Sequence, residues 1–142
     1  MPEVVLVRDL MRTPVVTALP TTPVREIARL MIERGVGSVV ITDDNGALLG
    51  IVTKTDIVRD VVARGLPREA QVGEIMTRNP YYVMETTSID DAAELMASHN
   101  IGHLPVLNDR LKLVGIISRR DIVKVFPHFV ALLYVTSSSR PL

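Results

Sequence analysis

Short runs of apolar residues alternate along the chain with stretches in which apolar residues recur every three or four positions. The runs are typical of strands whose sheet is covered by helices, and they lie at residues 38–42, 48–53, 103–107 and 113–118. The helical stretches carry apolar residues at two sets of positions: Val24, Ile27, Ala28 and Met31, then Ile89, Ala92, Ala93 and Met96. The pattern therefore predicts two amphipathic helices, each followed by a pair of strands.

Residues with marked backbone preferences delimit the two helices. Thr22 is predicted to cap the first helix, with Pro23 at its first helical position, and Thr87 or Ser88 is predicted to cap the second. Residues that tolerate a left-handed backbone follow the two helices: Gly35 and Asn100.

The remaining connections predict the other short elements. Residues 15–17 and 81–83 should form short strands after prolines, and residues 43–46, DDNG, are typical of a hairpin turn rather than a calcium loop. A last helix should begin directly after Thr53 and again after Ser118. Each half of the chain thus predicts the order β-α-β-β-α.

The second half of the chain repeats the first. A shift of 65 positions aligns residues 9–59 with the second half without a gap. Identical pairs include a glycine–isoleucine step, 50–51 with 115–116, and an aspartate–isoleucine–valine step, 56–58 with 121–123. We therefore predict a tandem duplication whose two halves depend on each other for a core. Its predicted boundaries are 1–65 for the first repeat, 66–71 for a linker, 72–127 for the second repeat and 128–142 for a C-terminal tail.

Composition narrows the function classes. Of the 142 residues 47 % are hydrophobic, which supports a packed core, and 16 basic residues balance 16 acidic ones, which argues against duplex nucleic acid as the main partner. The lack of cysteine excludes disulfides, thiolate zinc sites and cysteine nucleophiles. Because the N-terminus has no secretory pattern and no apolar stretch is long enough to span a bilayer, we expect a cytoplasmic protein without a membrane span.

The repeated motifs resemble those of the CBS domain, and two in tandem are similar to a Bateman module. The strongest marks are GIVTKTDI at residues 50–57 and GIISRRDI at residues 115–122, supported by MTRNP at 76–80 and IGHLPV at 101–106. The resemblance implies an α/β fold of two β-α-β-β-α repeats related by a pseudo-two-fold axis, with sheets covered by helices. It also implies that an adenosyl ligand (AMP, ADP, ATP or S-adenosylmethionine) binds between the repeats, and that the chain regulates another protein rather than catalysing a reaction.

Each repeat has a hydroxyl residue followed three positions later by an aspartate: Thr53 with Asp56, and Ser118 with Asp121. At a strand-to-helix turn, the hydroxyl and the free backbone amides would suit a phosphate, and the carboxylate would accept both hydroxyls of a ribose. The alternative is a capping box, in which the carboxylate bonds back to the amide of the cap residue. The family resemblance favours ribose binding by at least one of the two aspartates.

Basic residues adjoin these aspartates: Lys54, Arg119 and Arg120. A cation near a helix N-terminus interacts unfavourably with the helix dipole, and a bound anion would offset that cost. We therefore interpret the three residues as phosphate contacts, with Arg78 as a weaker candidate. The alternative is that they are solvated surface residues.

The resemblance places the adenine against backbone and apolar groups at the ends of strands. The candidate contacts are Val16, Thr17, Gly37, Ser38, Val39, Val40, Pro80, Tyr82, Val83, Gly102, His103, Leu104 and Pro105. His103 would face the phosphates or stack on the base; the alternative is a histidine that is solvated or satisfied within the fold. Because Ser38 stands where the second repeat has His103, we expect two non-equivalent sites, the better one in the second repeat.

One functional hypothesis leads and three alternatives stay open. The leading one is a stand-alone module that binds an adenine nucleotide and acts on a separate, unidentified effector protein. The alternatives are a sensor of S-adenosylmethionine or methylthioadenosine, a protein-interaction module without ligand, and a binder of single-stranded nucleic acid. Few aromatic residues and zero net charge count against the last. The motifs of common metal and catalytic sites are absent from the sequence.

Two apolar sets of residues are predicted to form packing surfaces. A homodimer is expected through helix residues, with intramolecular core as the alternative: Val24, Met31, Val58, Val62, Met96 and Val123. The apolar residues 129–135 should dock either on the chain's own fold or on a partner.

Overall fold

The computed structural model describes residues 4–135, which divide between two compact units. The N-unit comprises Val15–Pro80, and the C-unit comprises the described residues before position 15 together with those after position 80. Each unit therefore holds most of one sequence repeat and the segment that leads into the other repeat. The two repeats therefore exchange their leading segments.

The elements follow the same order in the two halves. The first half contains α1 (Val7–Leu10), β1 (Thr17–Ala18), α2 (Val24–Arg34), β2 (Ser38–Thr42), β3 (Leu48–Thr53) and α3 (Lys54–Ile57), which continues as a π-helical turn over Val58–Ala63. The second half contains a 3-10 turn (Val72–Glu74), β4 (Thr77–Arg78), β5 (Val83–Met84), α4 (Ile89–His99), β6 (His103–Leu107), β7 (Leu113–Ser118) and α5 (Arg119–Val125). A 3-10 turn (Pro127–Phe129) and a π-helical turn (Ala131–Val135) complete the described chain.

Each unit contains a sheet in which a short parallel strand flanks an antiparallel hairpin. The strand order is β1-β2-β3-β4 in the N-unit and β5-β6-β7 in the C-unit. Beyond β7, Arg12 pairs with Ile116, and the 65-residue shift relates this bridge to the pairing of Thr77 with Ile51 between β4 and β3. The leading segment of each repeat thus runs along the edge of the other repeat's sheet.

The apolar face of each long helix packs onto the sheet of its own unit. The N-unit core joins residues of α2, β2 and β3: Val24, Ile27, Met31, Val39, Ile41 and Val52. The C-unit core joins residues of α4, β6 and β7: Ile89, Ala92, Ala93, Met96, Leu104, Val106 and Ile117. Full burial of one such aliphatic side chain contributes roughly 1.5–3 kcal/mol. The helix faces predicted from the apolar spacing are confirmed.

The hairpins and most helix ends agree with the sequence predictions. β2, β3, β6 and β7 have the predicted bounds, and the Asp43 carboxylate closes the first hairpin turn by accepting the amides of Asn45 and Ala47 at 2.9 Å. The residues after the two long helices are left-handed as predicted, with φ of 63° at Gly35 and 52° at Asn100. Of the two predicted caps of α4, Thr87 and Ser88, the structure has Ser88, whose side chain accepts the amide of Asp91.

Two local predictions are wrong. The short strands lie at Thr17–Ala18 and Val83–Met84, later than predicted, because the parallel ladders pair Thr17 with Val40 and Val83 with Val106 and leave the preceding residues outside. Pro23, not Thr22, is the N-cap of α2. The first free amides of that helix are satisfied from elsewhere in the N-unit: those of Val24 and Arg25 donate to backbone carbonyls of the predicted linker and its vicinity, on Ala70 and Arg68.

The apolar tail docks on the C-unit. Leu133 is fully buried in its core, with Phe129 and Leu132 packed against the same cluster. Residues 136–142 of the predicted tail lie outside the described residues. Docking on the chain's own fold is therefore the alternative that holds for the described part of the tail.

Three of the six helix residues considered for a dimer surface belong to the alternative, the intramolecular core, and a fourth, Val123, is partly buried against the C-unit core. The side chains of Val24, Met31 and Met96 are buried in the cores of their own units. This is expected, because the most apolar face of a helix packs against the core. Val58 and Val62 are 59 % and 75 % exposed. These two residues stay candidates for a contact with another chain.

A methionine of each leading segment packs on a glycine of the adjacent strand. A Cβ atom on Gly115 would lie 2.5 Å from Sδ of Met11, a flexible side-chain atom. A Cβ atom on Gly50 would lie 2.8 Å from Sδ of Met76 and also 2.7 Å from the backbone oxygen of Thr77. The clash of a Cβ atom at Gly50 can therefore be relieved only if the backbone at the sheet edge moves. At Gly115 a rotation of the Met11 side chain can begin to relieve the clash.

Substitution of these two glycines by alanine should lower the free energy of unfolding by unequal amounts. We expect Gly50→Ala to lower the free energy of unfolding by about 2–3 kcal/mol and Gly115→Ala to lower it by about 1 kcal/mol, within the usual range for overpacking. Urea unfolding of the two variants beside the unmodified chain measures both costs. Equal costs, or a larger cost at Gly115, would contradict the backbone contact at Gly50.

Candidate functional site

The turn from β7 into α5 is closed by the buried carboxylate of Asp121. Its Oδ2 accepts the backbone amide of Ser118 at 2.9 Å and the hydroxyl of Ser118 at 3.0 Å. The amide of Asp121 donates in return to the Ser118 oxygen at 3.3 Å. This reciprocal arrangement is a capping box, and it fixes the carboxylate beside the end of the strand.

The other oxygen of the Asp121 carboxylate binds an arginine from the N-terminal segment. Nε of Arg12 lies 2.8 Å from Oδ1 of Asp121. Arg12 reaches this point because the segment that carries it pairs with Ile116 of β7. The arginine side chain is 45 % exposed and the aspartate side chain 9 %, so the ion pair joins a buried carboxylate to an arginine at the surface.

His103 lies next to this turn, because the β6–β7 register pairs it with Ser118. Burial and the positive charge of Arg119 lower the pKa of His103 to about 4; the Asp121 carboxylate acts in the opposite direction, and Arg12 adds to the lowering. The imidazole is therefore neutral at pH 7 and carries one donor and one acceptor nitrogen.

Arg119 lies across the start of β6. Its backbone amide donates to the carbonyl oxygen of Gly102 at 3.0 Å, and its Nη2 donates to the side chain of Asn100 at 3.2 Å. The guanidinium covers Gly102, where a Cβ atom would lie 3.2 Å from Nη1. Within residues 4–135, Nε of Arg119 is buried and has no hydrogen-bond partner.

The equivalent turn of the N-unit has the same capping box but a different arginine. Oδ2 of Asp56 accepts the amide of Thr53 at 2.8 Å, and Thr53 accepts the amide of Asp56 at 3.4 Å. Oδ1 of Asp56 accepts Nη2 of Arg59 at 3.2 Å, one turn further along the same helix. Arg59 also binds Asp60 and holds the pKa of that carboxyl below its usual range. Lys54 is exposed.

Both aspartates thus form the capping box that the sequence left open as the alternative to ribose binding. The two functions are compatible, since Oδ2 closes the turn and Oδ1 faces an arginine that is 45 % or 44 % exposed. Arg12 and Arg59 are not among the contacts predicted from the sequence. Arg59 had a local signal, three residues after Asp56 on a helix; Arg12 had none, because it arrives through the exchange of leading segments.

Several predicted contacts have their side chains in a core. Leu104, Pro105 and Val83 are buried in the C-unit, and Val16 packs against the N-unit core, so their side chains are not free to contact a ligand. The remaining candidates divide by exposure: Ser38, Val39, Val40 and Pro80 are buried, Gly37 and Gly102 are half-buried, and Thr17, Tyr82 and Arg120 are exposed. Arg78 is exposed and donates to the carbonyl oxygen of Gly73.

Residues 4–135 contain no group of three or more histidine, cysteine, aspartate or glutamate side chains placed to hold a metal ion. His99 ends α4 and stacks on Tyr81, with ring centroids 4.1 Å apart. Over the same residues, none of the helices has both the length and the apolar character needed to cross a bilayer.

Comparison with known proteins identifies both repeats. The pattern of the CBS domain family matches residues 7–63 and 72–128. The chain is 38 % identical over 128 residues, 89 % of its length, to an uncharacterised protein of Methanopyrus kandleri, and spans 65 % of that protein. It is 32 % identical over 123 residues, 87 % of its length, to L-aspartate semialdehyde sulfurtransferase of Methanocaldococcus jannaschii, of which it spans 23 %. Both relatives therefore extend well beyond the matched region.

Two solved structures resemble the chain over most of its length. The CBS domain pair of protein MJ0100, in complex with 5′-methylthioadenosine and S-adenosyl-L-methionine, has a TM-score of 0.81 and 32 % identity, covering 89 % of this chain and 98 % of that one. CBSX2 in complex with AMP has a TM-score of 0.73 and 28 % identity, covering 87 % and 97 %.

Acidification should destabilise the chain through His103. The pKa of His103 is about 4 in the folded chain and about 6.5 when unfolded. Between these values the unfolded chain binds a proton that the folded chain does not, so stability falls as the pH falls. We expect His103 to account for a loss of about 2 kcal/mol between pH 7 and pH 5.

Urea unfolding of the unmodified chain and of His103→Gln at the two pH values tests this expectation. The variant should lose about 2 kcal/mol less than the unmodified chain on acidification, while His99 and His128 are present in both proteins. The same loss in the two proteins would contradict the environment described for His103.

Proposed function

We propose, since the chain belongs to the CBS domain family, that it is a regulatory module that binds an adenine nucleotide (AMP, ADP or ATP) at the Asp121 turn. The observation that carries the proposal is the buried Asp121 carboxylate, whose Oδ1 binds the partly exposed Arg12 beside His103. A carboxylate held in one orientation suits the paired hydroxyls of a ribose, because both hydroxyls donate to it in charge-assisted bonds. The solved relatives hold AMP, S-adenosylmethionine or methylthioadenosine, and this supports an adenosyl ligand here.

The surroundings of Asp121 favour a phosphorylated ligand. Arg12 binds the carboxylate directly, Arg119 influences the charge of His103, and Arg120 is exposed in the same turn. Guanidinium groups match phosphate oxygens in geometry and keep their charge at any physiological pH. The N-unit has the same aspartate but a serine in place of the histidine, so we propose that its site is the weaker one.

A second candidate ligand is S-adenosylmethionine or methylthioadenosine. The solved CBS pair that contains both compounds is 32 % identical to this chain, and this observation favours them. Either compound would use the same aspartate for its ribose but would present no phosphate to the arginines. A comparison of the two ligand classes therefore separates the candidates.

The proposed role is control of a separate partner protein. Such control requires a ligand whose affinity differs between two states of the module, because only a difference in affinity shifts an equilibrium. Val58 and Val62, exposed on the helical segment after Thr53, provide an apolar contact through which the module would form a homodimer.

Thermal unfolding of the full chain with AMP, ADP, ATP, S-adenosylmethionine and methylthioadenosine tests the proposal. A ligand at 100 times its dissociation constant adds about 2.7 kcal/mol, which raises Tm by a few degrees. We expect this rise with an adenine nucleotide. Asp121→Asn should remove most of it, because an amide nitrogen replaces one acceptor oxygen. Asp90→Asn, at an exposed position in the first turn of α4, should keep it.

Each other outcome has a definite meaning. The absence of a rise with every compound would contradict ligand binding and favour an interaction module without ligand. A rise confined to S-adenosylmethionine or methylthioadenosine would replace the nucleotide by the second candidate. A full rise in Asp121→Asn would show that the ribose binds elsewhere.

A further inference from the structure

The charges around Asp121 do not balance. The carboxylate of Asp121 binds Arg12, while Arg119 approaches from the start of β6 and lowers the pKa of His103, which leaves the imidazole neutral at pH 7. Asp121 is the only acidic residue of the turn at 118–121, which also carries Arg119 and Arg120 and binds Arg12. Lys124 follows one helical turn later on α5.

The same positions in the N-unit include a second carboxylate, Asp60. By the 65-residue shift Arg12 corresponds to Thr77, and the two residues occupy the same place in the register, opposite Ile116 and Ile51. Asp56 binds Arg59, which is shared with Asp60. The counterpart of Asp60 in the C-unit is Val125. The greater excess of positive charge is thus at the C-unit turn, and Arg12 contributes to it.

Arg12 has donors to spare. Its bond to Asp121 uses Nε, so within the described residues both Nη groups are available to a further acceptor. The side chain is 45 % exposed and can follow an incoming group. Arg119 contributes a buried Nε that has no partner among residues 4–135, a polar group that costs free energy until it is satisfied.

We propose that Arg12 makes the C-unit site selective for nucleosides that carry an anionic group at the 5′ position over nucleosides that are uncharged there. This inference rests on the proposed function and names the ligand class of the same site. An anionic group takes Nη donors of Arg12, and Asp121 Oδ1 then shares its acceptor capacity with the ribose hydroxyls. The N-unit, with Thr77 at the equivalent place, has no such preference.

Isothermal titration of the full chain with AMP and with 5′-methylthioadenosine tests the proposal. The two compounds share the adenosine and differ in the charge at the 5′ position. The unmodified chain should bind AMP the more tightly. Arg12→Gln should weaken AMP binding by about ten- to a hundred-fold, the range of a lost charge-assisted hydrogen bond, and should change methylthioadenosine affinity by less than about three-fold. Arg12→Lys, which keeps the charge, should retain part of the preference.

Arg8→Gln is the matched control, because Arg8 belongs to the same segment and is exposed. It removes the same charge from the chain and should leave both affinities unchanged. Thermal unfolding without ligand shows whether Arg12→Gln is folded.

The outcomes separate this inference from the proposed function. If neither AMP nor methylthioadenosine binds the unmodified chain, the proposed function fails and the inference fails with it. If both bind and Arg12→Gln weakens them equally, or leaves AMP unaffected, Arg12 does not select the ligand and only the inference is overturned. A preference of the unmodified chain for methylthioadenosine would overturn it as well.

Discussion

Each unit turns from its last long strand into the following helix around a buried aspartate. The carboxylates of Asp56 and Asp121 accept the amides of Thr53 and Ser118, which would otherwise be left without a partner at the start of a helix. If either carboxylate left its turn, the amide that it accepts would lose its hydrogen-bond partner. The position of the acceptor is therefore set by folding, before any ligand is present.

The hairpin and the leading segment then determine what stands beside that carboxylate. In the C-unit the register of β6 and β7 brings His103 opposite Ser118, and the N-terminal segment brings Arg12 to Oδ1 of Asp121. In the N-unit the same geometry brings Ser38 opposite Thr53, and the arginine comes from the helix itself. The two turns thus share a capping box but differ in charge and in their polar neighbours, which supports the proposal that they bind a ligand unequally.

The sequence predicted the features that depend on local pattern. The hairpin strands followed from runs of apolar residues, and Gly35 and Asn100 were correctly expected to be left-handed. Thr22 was a reasonable cap by composition, but the amides at the start of α2 find backbone carbonyls more than forty residues away in sequence. Nothing local to residues 22–25 reports those partners.

The candidate site was predictable to the same extent. The paired hydroxyl and aspartate residues and His103 could be found from motif and resemblance, since each lies within its own repeat. Arg12 could not, because its contact with Asp121 spans 109 positions and depends on the exchange of leading segments. The same long-range packing placed Leu104 and Val83 in a core, where their side chains cannot serve a ligand.

A crystal structure of the chain with AMP would show whether the Asp121 carboxylate receives the ribose. We expect both ribose hydroxyls within hydrogen-bond distance of this carboxylate, with the capping box to Ser118 intact and the guanidinium of Arg12 on the phosphate. A nucleotide bound with its ribose away from Asp121, or with Arg12 still held only by that carboxylate, would contradict this expectation.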